Sequence, residues 1–310
     1  MARTVRDAWQ DARSRVEAIG SDAPELEARE LLRAALGLDA RAFLLLDFSL
    51  PLSPEATDRL ESFLTRREAH EPLQYLLGTV PFCELELEVG PGVLIPRPET
   101  EVLVERLTAR IPELPKGGSP ATPLLVDVGT GSGAILLALL HRFPEFGGLG
   151  VDRSEQALRW ALINRERSLS ADRRVCFVRG DLLDAVASTN RSSAGGGDAP
   201  APSIDVIVSN PPYIPTHEVE TLAPEVRDHE PRLALDGGPD GLVFVTRIVE
   251  AARRLLRPGG LLAFELALDQ VDRVAALLER NGFQVLERYR DLTGRPRGVI
   301  ARRDGSLSPW

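Results

Sequence analysis

The chain has 310 residues, of which 43% are hydrophobic and 27% charged, and this composition excludes an intrinsically disordered protein. Its formal net charge at pH 7 is −9, whereas proteins that bind phosphate backbones usually carry a basic excess, so we expect no direct nucleic-acid partner. The longest apolar run, A-I-L-L-A-L-L at 134–140, is far shorter than the ~20 residues that cross a bilayer, and we expect no membrane association.

The two cysteines, Cys83 and Cys176, match no metal-binding or redox spacing, so we expect no metal site. The absence of a disulfide framework is typical of reducing compartments. The segment M-A-R-T-V-R-D-A-W-Q-D at the N-terminus lacks the apolar region of a signal peptide. We therefore expect a cytoplasmic protein, and no feature of the sequence requires more than a monomer.

Residues 1–75 have the periodicity of short helices and contain few strand formers, so we predict a small helical domain there. The apolar residues that mark the buried face of its first helix are Val5, Trp9, Ala12, Val16 and Ile19. We expect Asp22 to cap the second helix, which then ends at Gly37. A further helix is predicted to begin at Ser53.

Residues 76–96 change to a strand pattern, which predicts a β-hairpin that links two domains. The segment C-E-L-E-L-E-V at 83–89 alternates between apolar and acidic residues, as a half-buried strand does, and G-P-G-V-L-I-P follows it. The second domain is predicted to cover residues 97–310. Its first helix opens with R-P-E-T-E and ends at Arg110.

From residue 124 onward strands alternate with helices, the pattern of a doubly wound α/β fold whose mostly parallel sheet has helices on both faces. The predicted parallel strands are L-L-V-D-V-G, G-L-G-V-D, V-C-F-V-R-G-D, I-D-V-I-V-S-N and L-L-A-F-E-L. An antiparallel pair, F-Q-V-L-E-R-Y and G-V-I-A-R-R, closes the chain. Low-complexity segments at 116–123 and 190–203 predict a linker and a mobile surface loop.

The first of these strands leads into a glycine-rich loop, V-D-V-G-T-G-S-G-A at 126–134. Glycines at such a place allow a tight turn and let a ligand approach the backbone without meeting Cβ atoms. In dinucleotide enzymes a loop of this kind holds a pyrophosphate at the N-terminus of the following helix. The candidate cofactor-binding residues of the loop are Gly129, Thr130, Gly131, Ser132 and Gly133.

Acidic residues follow the next two strands. Asp152 ends the second strand, where a carboxylate can accept hydrogen bonds from both hydroxyl groups of a ribose. Asp181 follows the third strand, a place from which a side chain can reach an adenine amino group. Together with the glycine loop, these carboxylates indicate a nucleoside-containing cofactor. Both NAD(P) and S-adenosylmethionine fit this pattern.

The fourth strand leads into Asn210-Pro211-Pro212-Tyr213. Two prolines cannot continue a strand, because neither has an N–H to donate and both have φ near −65°. The chain therefore leaves the sheet in a stiff, extended form, at the edge where open α/β sheets bind ligands.

This tetrapeptide suits the methylation of a planar amino group, whose delocalised lone pair makes the nitrogen a poor nucleophile. The Asn210 side-chain oxygen and the Pro211 carbonyl can each accept one N–H and hold the nitrogen in line with a sulfonium methyl group. Pro212 and Tyr213 can form a flat apolar wall beside it. A dehydrogenase has no need of such a sequence at this place.

The glycine loop and S-N-P-P-Y-I at 209–214 together resemble the amino-methyltransferases with an Asn-Pro-Pro-Tyr signature. The stretches that closely resemble the PrmC/HemK family are E-P-L-Q-Y-L-L-G (71–78), L-I-P-R-P-E-T-E (94–101), E-P-R-L-A-L (230–235) and G-G-P-D-G-L (237–242). The resemblance covers nearly the whole chain from about residue 70, and the N-terminal helices match in character only.

This resemblance implies a seven-stranded class I methyltransferase sheet. It also implies transfer of a methyl group from S-adenosylmethionine to the side-chain amide nitrogen (N5) of the glutamine in the Gly-Gly-Gln loop of class 1 peptide-chain release factors. The N-terminal helices would help to dock the release factor.

The resemblance also implies roles for individual residues. The loop at 129–133 and Asp152 would bind S-adenosylmethionine. Leu182, which is aliphatic where the family often has an aromatic residue, would pack on adenine. Residues 210–213 would bind the glutamine amide, with Asn210 also near the cofactor. The stretch R-P-E-T at 97–100 would form a loop over the amino-acid end of the cofactor.

Other functions remain open from the sequence. A methyltransferase that modifies a glutamine of a ribosomal protein differs from the first interpretation only in its substrate. A nucleic-acid amino-methyltransferase would use the same tetrapeptide, but it must extract a base and hold phosphates, and the acidic net charge disfavours it. A binding module or an NAD-dependent dehydrogenase would leave the tetrapeptide without a role.

Overall fold

The structure is a computed structural model that describes residues 3–115, 122–170, 173–184, 186 and 204–305. The predicted surface loop at 190–203 and most of the predicted linker at 116–123 lie outside these residues. The chain divides into two compact units. As far as they are described, the first consists of Met1–Val80, Val89–Pro91 and Ala223–His229, and the second of Pro81–Glu88, Gly92–Leu222 and Glu230–Trp310.

The α-helices with described bounds are α1 (Val5–Ala18), α2 (Pro24–Leu36), α3 (Ala40–Leu44), α4 (Pro54–Glu68), α5 (Leu73–Leu77), α6 (Pro98–Arg110), α7 (Ala134–Arg142), α8 (Glu155–Ser168), α9 (Pro224–Arg227), α10 (Val243–Leu255) and α11 (Val271–Arg280). The strands are β1 (Thr79–Phe82), β2 (Leu85–Glu88), β3 (Leu124–Val128), β4 (Gly147–Asp152), β5 (Val175–Arg179), β6 (Ile204–Ser209), β7 (Leu256–Glu265), β8 (Phe283–Arg290) and β9 (Pro296–Arg303). Short 3₁₀ helices cover Ile111–Glu113, Val219–Thr221 and Arg232–Ala234. Within the described ranges, no helix has the length and apolar character needed to cross a membrane.

Helices α1 to α5 and α9 belong to the first unit, and its core lies where α1, α2 and α4 meet. The predicted apolar face of α1 is largely confirmed: Val5, Ala12 and Val16 are buried, whereas Trp9 and Ile19 are half-buried. Fully buried residues of α2 and α4 complete the core: Ala28, Leu31, Leu32, Ala35, Leu60 and Leu64.

The ends of these helices follow the sequence signals except at Asp22. Helix α2 begins at Pro24 with Ala23 as its N-cap, so the prediction that Asp22 caps it was wrong. The Ser21 hydroxyl instead accepts the Ala23 N–H at 3.1 Å. Gly37 ends the helix in the left-handed region, with φ at +67°, as expected.

The hairpin pairs two strands that differ from those expected. The predicted strand at 83–89 begins only at Leu85, and its partner is β1, which precedes it rather than follows it. Cys83 lies in the turn with φ at +50°. The alternation was a true strand signal, because Leu85 and Leu87 are buried and Glu86 is exposed. A single alternating segment does not show on which side its partner lies.

The second unit contains a seven-stranded sheet in the order β5-β4-β3-β6-β7-β9-β8. Strands β3 to β7 are parallel, and β9 pairs antiparallel with both β7 and β8. This arrangement confirms the predicted doubly wound, mostly parallel class I methyltransferase sheet. The chain reverses its winding direction between β3 and β6, which is where such sheets form a crevice.

The G-loop, defined here as residues 129–133, is connected to the hairpin through one buried side chain. Asn164 of α8 is fully buried and uses both ends of its amide. Its Oδ1 accepts the Glu88 N–H at 2.6 Å, and its Nδ2 donates to the carbonyls of Glu88 at 2.9 Å and Ser132 at 3.0 Å. A single asparagine therefore satisfies three backbone groups, two of the hairpin and one of the G-loop.

Replacement of this asparagine should destabilise the second unit. Asn164→Ala leaves one N–H and two carbonyls without their partner, and we expect the free energy of unfolding to fall by roughly 2 kcal/mol or more. Urea denaturation followed by circular dichroism measures the change. The matched control is Glu166→Ala, because Glu166 is exposed on the same helix. Equal stability of the two variants would contradict the assigned role.

Candidate active site

A cleft in the second unit, with a volume of about 990 Å³ including the part open to solvent, lies at the carboxyl edge of β3, β4 and β6. Of the predicted cofactor-binding residues, those that line it are Gly129, Thr130, Gly131, Ser132, Asp152, Leu182 and Asn210. Gly133 and Asp181 are not part of its lining. The position of the cleft, at the carboxyl edge of parallel strands, suits a small-molecule site.

The G-loop bends back over the end of β4. The Gly129 N–H donates to the Val151 carbonyl at 2.8 Å. The φ values of Gly129, Gly131 and Gly133 are +72°, +56° and +83°, a region that favours glycine. At Gly133 a Cβ would also meet the Leu137 side chain at 3.1 Å. Glycine is therefore needed at position 133, where α7 begins and a Cβ would crowd Leu137. Gly129 and Gly131 leave their backbone open to the cleft.

Asp152 connects the G-loop to the start of α8. One carboxylate oxygen accepts the Gly131 N–H at 2.9 Å, and the other accepts the Ser154 N–H at 2.8 Å. Burial raises the pKa of Asp152, and these backbone hydrogen bonds oppose the shift. The Arg153 N–H also contributes a backbone hydrogen bond. Each oxygen of a carboxylate has two lone pairs, so the group can still accept from the cleft side.

A second aspartate, Asp127, lies directly beneath the G-loop and is 1% exposed. Its carboxylate accepts the Thr130 hydroxyl at 2.8 Å. Burial raises the pKa of Asp127 to about 7, while the hydrogen bond from Thr130 opposes this. Asp127 stands two residues before the first loop glycine, but no local signal in the sequence distinguishes it from other strand residues.

After β5, the structure places Leu182 rather than Asp181 at the cleft. Leu182 lines the cleft and has φ at +51°, which is uncommon for a residue with a side chain. The Asp181 carboxylate instead pairs with Arg247 of α10 at 2.9 Å. A contact between Asp181 and an adenine amino group would have to coexist with this ion pair.

The NPPY loop, defined as residues 210–213, leaves the sheet directly after β6. Asn210 and Pro212 line the cleft. Pro211 is buried, and Tyr213 points its hydroxyl at Arg297, which donates to it at 3.1 Å. The Asn210 Nδ2 donates to the Thr100 hydroxyl at 3.3 Å.

A segment far along the chain holds the NPPY loop in place. The Ile214 N–H donates to the Leu235 carbonyl at 3.0 Å, and the Gly237 N–H donates to the Ile214 carbonyl at 2.8 Å. A Cβ on Gly237 would lie 2.7 Å from the Pro212 carbonyl oxygen and 2.8 Å from the Tyr213 Cα. The G-G-P-D-G-L stretch therefore contains glycine where the two backbones approach most closely.

The stretch R-P-E-T opens α6, which confirms the predicted helix start, whereas the loop that the resemblance implied there was wrong for three of its four residues. Pro98, Glu99 and Thr100 form the first turn of α6, because proline at the first helical position has the φ that a helix needs. Arg97 and Thr100 nevertheless line the cleft. Arg97 pairs with the buried Glu230 at 2.5 Å. Burial raises the pKa of Glu230, and Arg97 opposes the shift.

Two further charged residues behind the cleft gave no sequence signal. Glu265 ends β7 and is completely buried, and Arg297 of β9 pairs with it at 2.9 Å. Both lie in ordinary strand segments, where nothing local distinguishes them from other charged residues. Only the pairing of β7 with β9 brings them together.

Comparison with known proteins identifies the family. The sequence model of the PrmC N-terminal domain matches residues 7–78. A release factor glutamine methyltransferase of Caulobacter vibrioides is 38% identical over 309 residues, which covers 100% of this chain and 100% of that protein. One of Geobacter sulfurreducens is 41% identical over 280 residues, 90% of each chain.

This chain belongs to the release factor glutamine methyltransferase family. The resemblance to the PrmC/HemK family is thereby confirmed, and it extends over the N-terminal helices as well. The solved structure of a release factor-specific protein-(glutamine-N5) methyltransferase of Alicyclobacillus acidocaldarius is 27% identical and covers 70% of this chain and 99% of that one, with a TM-score of 0.37. The fold assignment rests on the strand order, not on that superposition.

Within this methyltransferase family member, Gly237 offers a test of the contact that holds the NPPY loop. Gly237→Ala places a Cβ against the Pro212–Tyr213 backbone, which must move. We expect kcat for methyl transfer to fall by roughly tenfold or more, since a displacement near 1 Å can cost about a hundredfold. The dissociation constant of S-adenosylmethionine, measured by titration calorimetry, should change little.

The matched control is Gly147→Ala, because the nearest atom to a Cβ on Gly147 is 3.7 Å away. Unchanged turnover in Gly237→Ala would show that the close approach does not position the NPPY loop.

Proposed function

We propose that this chain transfers a methyl group from S-adenosylmethionine to N5 of the glutamine in the Gly-Gly-Gln loop of class 1 peptide-chain release factors. Membership of the family over the full chain supports the substrate. The single observation that carries the chemistry is the placement of Asn210 and Pro212 in one cleft with the G-loop and Asp152. We further propose that the protein acts as a monomer in the cytoplasm, where release factors work.

The residues around the cleft fit S-adenosylmethionine. The carboxylate of Asp152 has lone pairs left for the ribose hydroxyls, and Leu182 supplies an apolar surface for the adenine. Arg97 and the N-terminus of α6 are positive groups that would hold the carboxylate of the amino-acid end. When bound, the cofactor supplies a methyl group on a positively charged sulfur.

Asn210 and Pro211 would orient the glutamine amide. Since Asn210 Nδ2 donates to Thr100, its Oδ1 is the end of the amide that can accept an N–H from the substrate. The Pro211 carbonyl would accept the second N–H, and the ring of Pro212 would form an apolar wall beside the planar amide. Two preorganised acceptors draw electron density onto the nitrogen, which compensates for its delocalised lone pair.

The proposed reaction requires no general base before methyl transfer. The nitrogen becomes acidic only once the methyl group is attached, and its proton can then leave to water. Tyr213 is unsuited to such a role, because burial raises the pKa of its hydroxyl. We assign Tyr213 to holding the loop through Arg297.

Methyl transfer from labelled S-adenosylmethionine tests the proposal. The substrate is a purified class 1 release factor, compared with a copy in which the glutamine of Gly-Gly-Gln is alanine. We expect label in the first protein and none in the second. Equal labelling of both would place the reaction at another residue. Labelling of neither, with the cofactor bound, would overturn the substrate assignment and direct the search to ribosomal proteins and then nucleic acids.

The role of Asn210 makes a separate prediction. Asn210→Ala should lower kcat by roughly 10²–10³, the typical cost of removing one preorganised polar group at a reacting centre. The dissociation constant of the cofactor should change much less. Asn281→Ala is the control, because Asn281 lies outside the cleft lining and its side chain donates to the nearby Leu277 carbonyl. Near-normal turnover of Asn210→Ala would exclude the proposed mechanism.

A further inference from the structure

Behind the cleft, the buried carboxylate of Glu265 is connected through Arg297 to one end of the NPPY loop, and it has an oxygen without a hydrogen-bond partner among the described residues. At one end, Arg297 Nη2 donates both to Glu265 Oε1 at 2.9 Å and to the Tyr213 hydroxyl at 3.1 Å. The guanidinium carbon of Arg297 also lies 5.6 Å from the centre of the Tyr213 ring. Arg297 therefore joins Tyr213 to Glu265.

At the other end of the loop, Asn210 contacts Thr100, and Thr100 lies near the same carboxylate. Thr100 is 4% exposed, and its hydroxyl accepts Asn210 Nδ2 at 3.3 Å. Once it accepts there, the hydroxyl has one proton left to donate. Glu265 Oε2 is buried without a hydrogen-bond partner among the described residues. Thr100 is near enough to Glu265 to contribute to its pKa, which burial raises and both Arg297 and Thr100 lower.

The direction of such a chain of hydrogen bonds is set by the group at its end. A carboxylate paired with Arg297 can only accept, so the proton of the Thr100 hydroxyl would satisfy the unpartnered Glu265 Oε2 if it turned towards that oxygen. The hydroxyl then offers a lone pair, not a proton, to Asn210. Only the Nδ2 end of the Asn210 amide satisfies that lone pair.

We propose that Glu265 is a positioning residue, which acts through Thr100 to keep the acceptor end of the Asn210 amide directed at the reacting nitrogen and through Arg297 to hold Tyr213. The inference rests on the proposed function, since a substrate amide needs an acceptor from Asn210. The two ends of an asparagine amide have nearly the same shape, so packing alone does not choose between them. A fixed acceptor behind the cleft, here the Glu265 carboxylate, does choose between the two ends.

The main test removes the hydroxyl but keeps the ion pair of Glu265 with Arg297. Thr100→Val preserves the shape of the side chain, and we expect kcat to fall by about tenfold or more, as for the loss of one buried hydrogen bond. The dissociation constant of S-adenosylmethionine should stay within about twofold. Thr100→Ser, which restores a hydroxyl, should recover most of the turnover.

A second variant changes the carboxylate itself. Glu265→Gln can donate to Thr100, which allows the hydroxyl to donate to Asn210 and the amide to reverse. We expect a loss of kcat that does not add to that of Thr100→Val in the double variant, since both break the same chain. Because Glu265→Gln also leaves the charge of Arg297 buried without its partner, its thermal unfolding is measured alongside.

The side-chain amide signal of Asn210 in a ¹⁵N spectrum gives a readout that does not depend on the substrate. The signal is assigned by its absence in Asn210→Ala. We expect its protons to exchange slowly in the wild type and in Thr100→Ser, and faster in Thr100→Val and Glu265→Gln.

If the wild type does not methylate a release factor but the Asn210 signal responds as expected, the positioning proposal stands and the proposed function fails. If the wild type methylates and Thr100→Val matches it in both kcat and amide exchange, the positioning proposal is overturned. It is also overturned if Thr100→Ser is as slow as Thr100→Val.

Discussion

Parallel pairing of β3 with β4 on one side and with β6 on the other brings three strand ends to one edge of the sheet. Val128 of β3 lies opposite Val151 of β4, and Asp127 of β3 lies opposite Val208 of β6. The G-loop, Asp152 and Asn210 therefore follow the strands at nearly the same level along the sheet. The G-loop, Asp152 and the NPPY loop all follow strands that this pairing positions. A shift of the register by one residue would turn the buried side chains of a strand to its other face and separate these groups.

A layer of buried charge supports the cleft from behind. Glu230 and Glu265 are both buried acids, and each pairs with an arginine, Arg97 and Arg297 respectively. Removing charges from water costs free energy that the pairing only partly returns, so buried pairs are weak evidence for a gain in stability. The positions of these two pairs explain their presence better than a gain in stability does. Arg97 itself lines the cleft, and Arg297 donates to Tyr213 of the NPPY loop.

The helical unit also contains a buried charge that organises distant segments. Arg67 of α4 is 5% exposed and pairs with Glu27 of α2 at 2.8 Å and with Glu225 of α9 at 3.1 Å. Through Glu225, the short segment Ala223–His229 belongs to the first unit although its neighbours in sequence belong to the second. The His229 ring adds a contact with the Ala69 carbonyl at 3.0 Å.

The sequence by itself determined the type of most of the longer elements and the most prominent candidate residues. Apolar periodicity marked α1, Gly37 marked the end of α2, and the strand–loop–helix pattern marked the G-loop, because these signals depend on neighbours along the chain. The two prolines after Asn210 showed where the chain leaves the sheet for the same reason. Alternation at 83–89 marked a strand, but it could not show which segment pairs with it.

Only the tertiary structure decided which residues stand behind the site. Asp181 was selected for its place after β5, yet it pairs with Arg247, and Leu182 reaches the cleft instead. Glu265 and Arg297 have no local pattern, because each finds its partner on another strand. A hydrogen-bond chain across elements depends on how those elements pack, and the periodicity of a single segment carries no information about that packing.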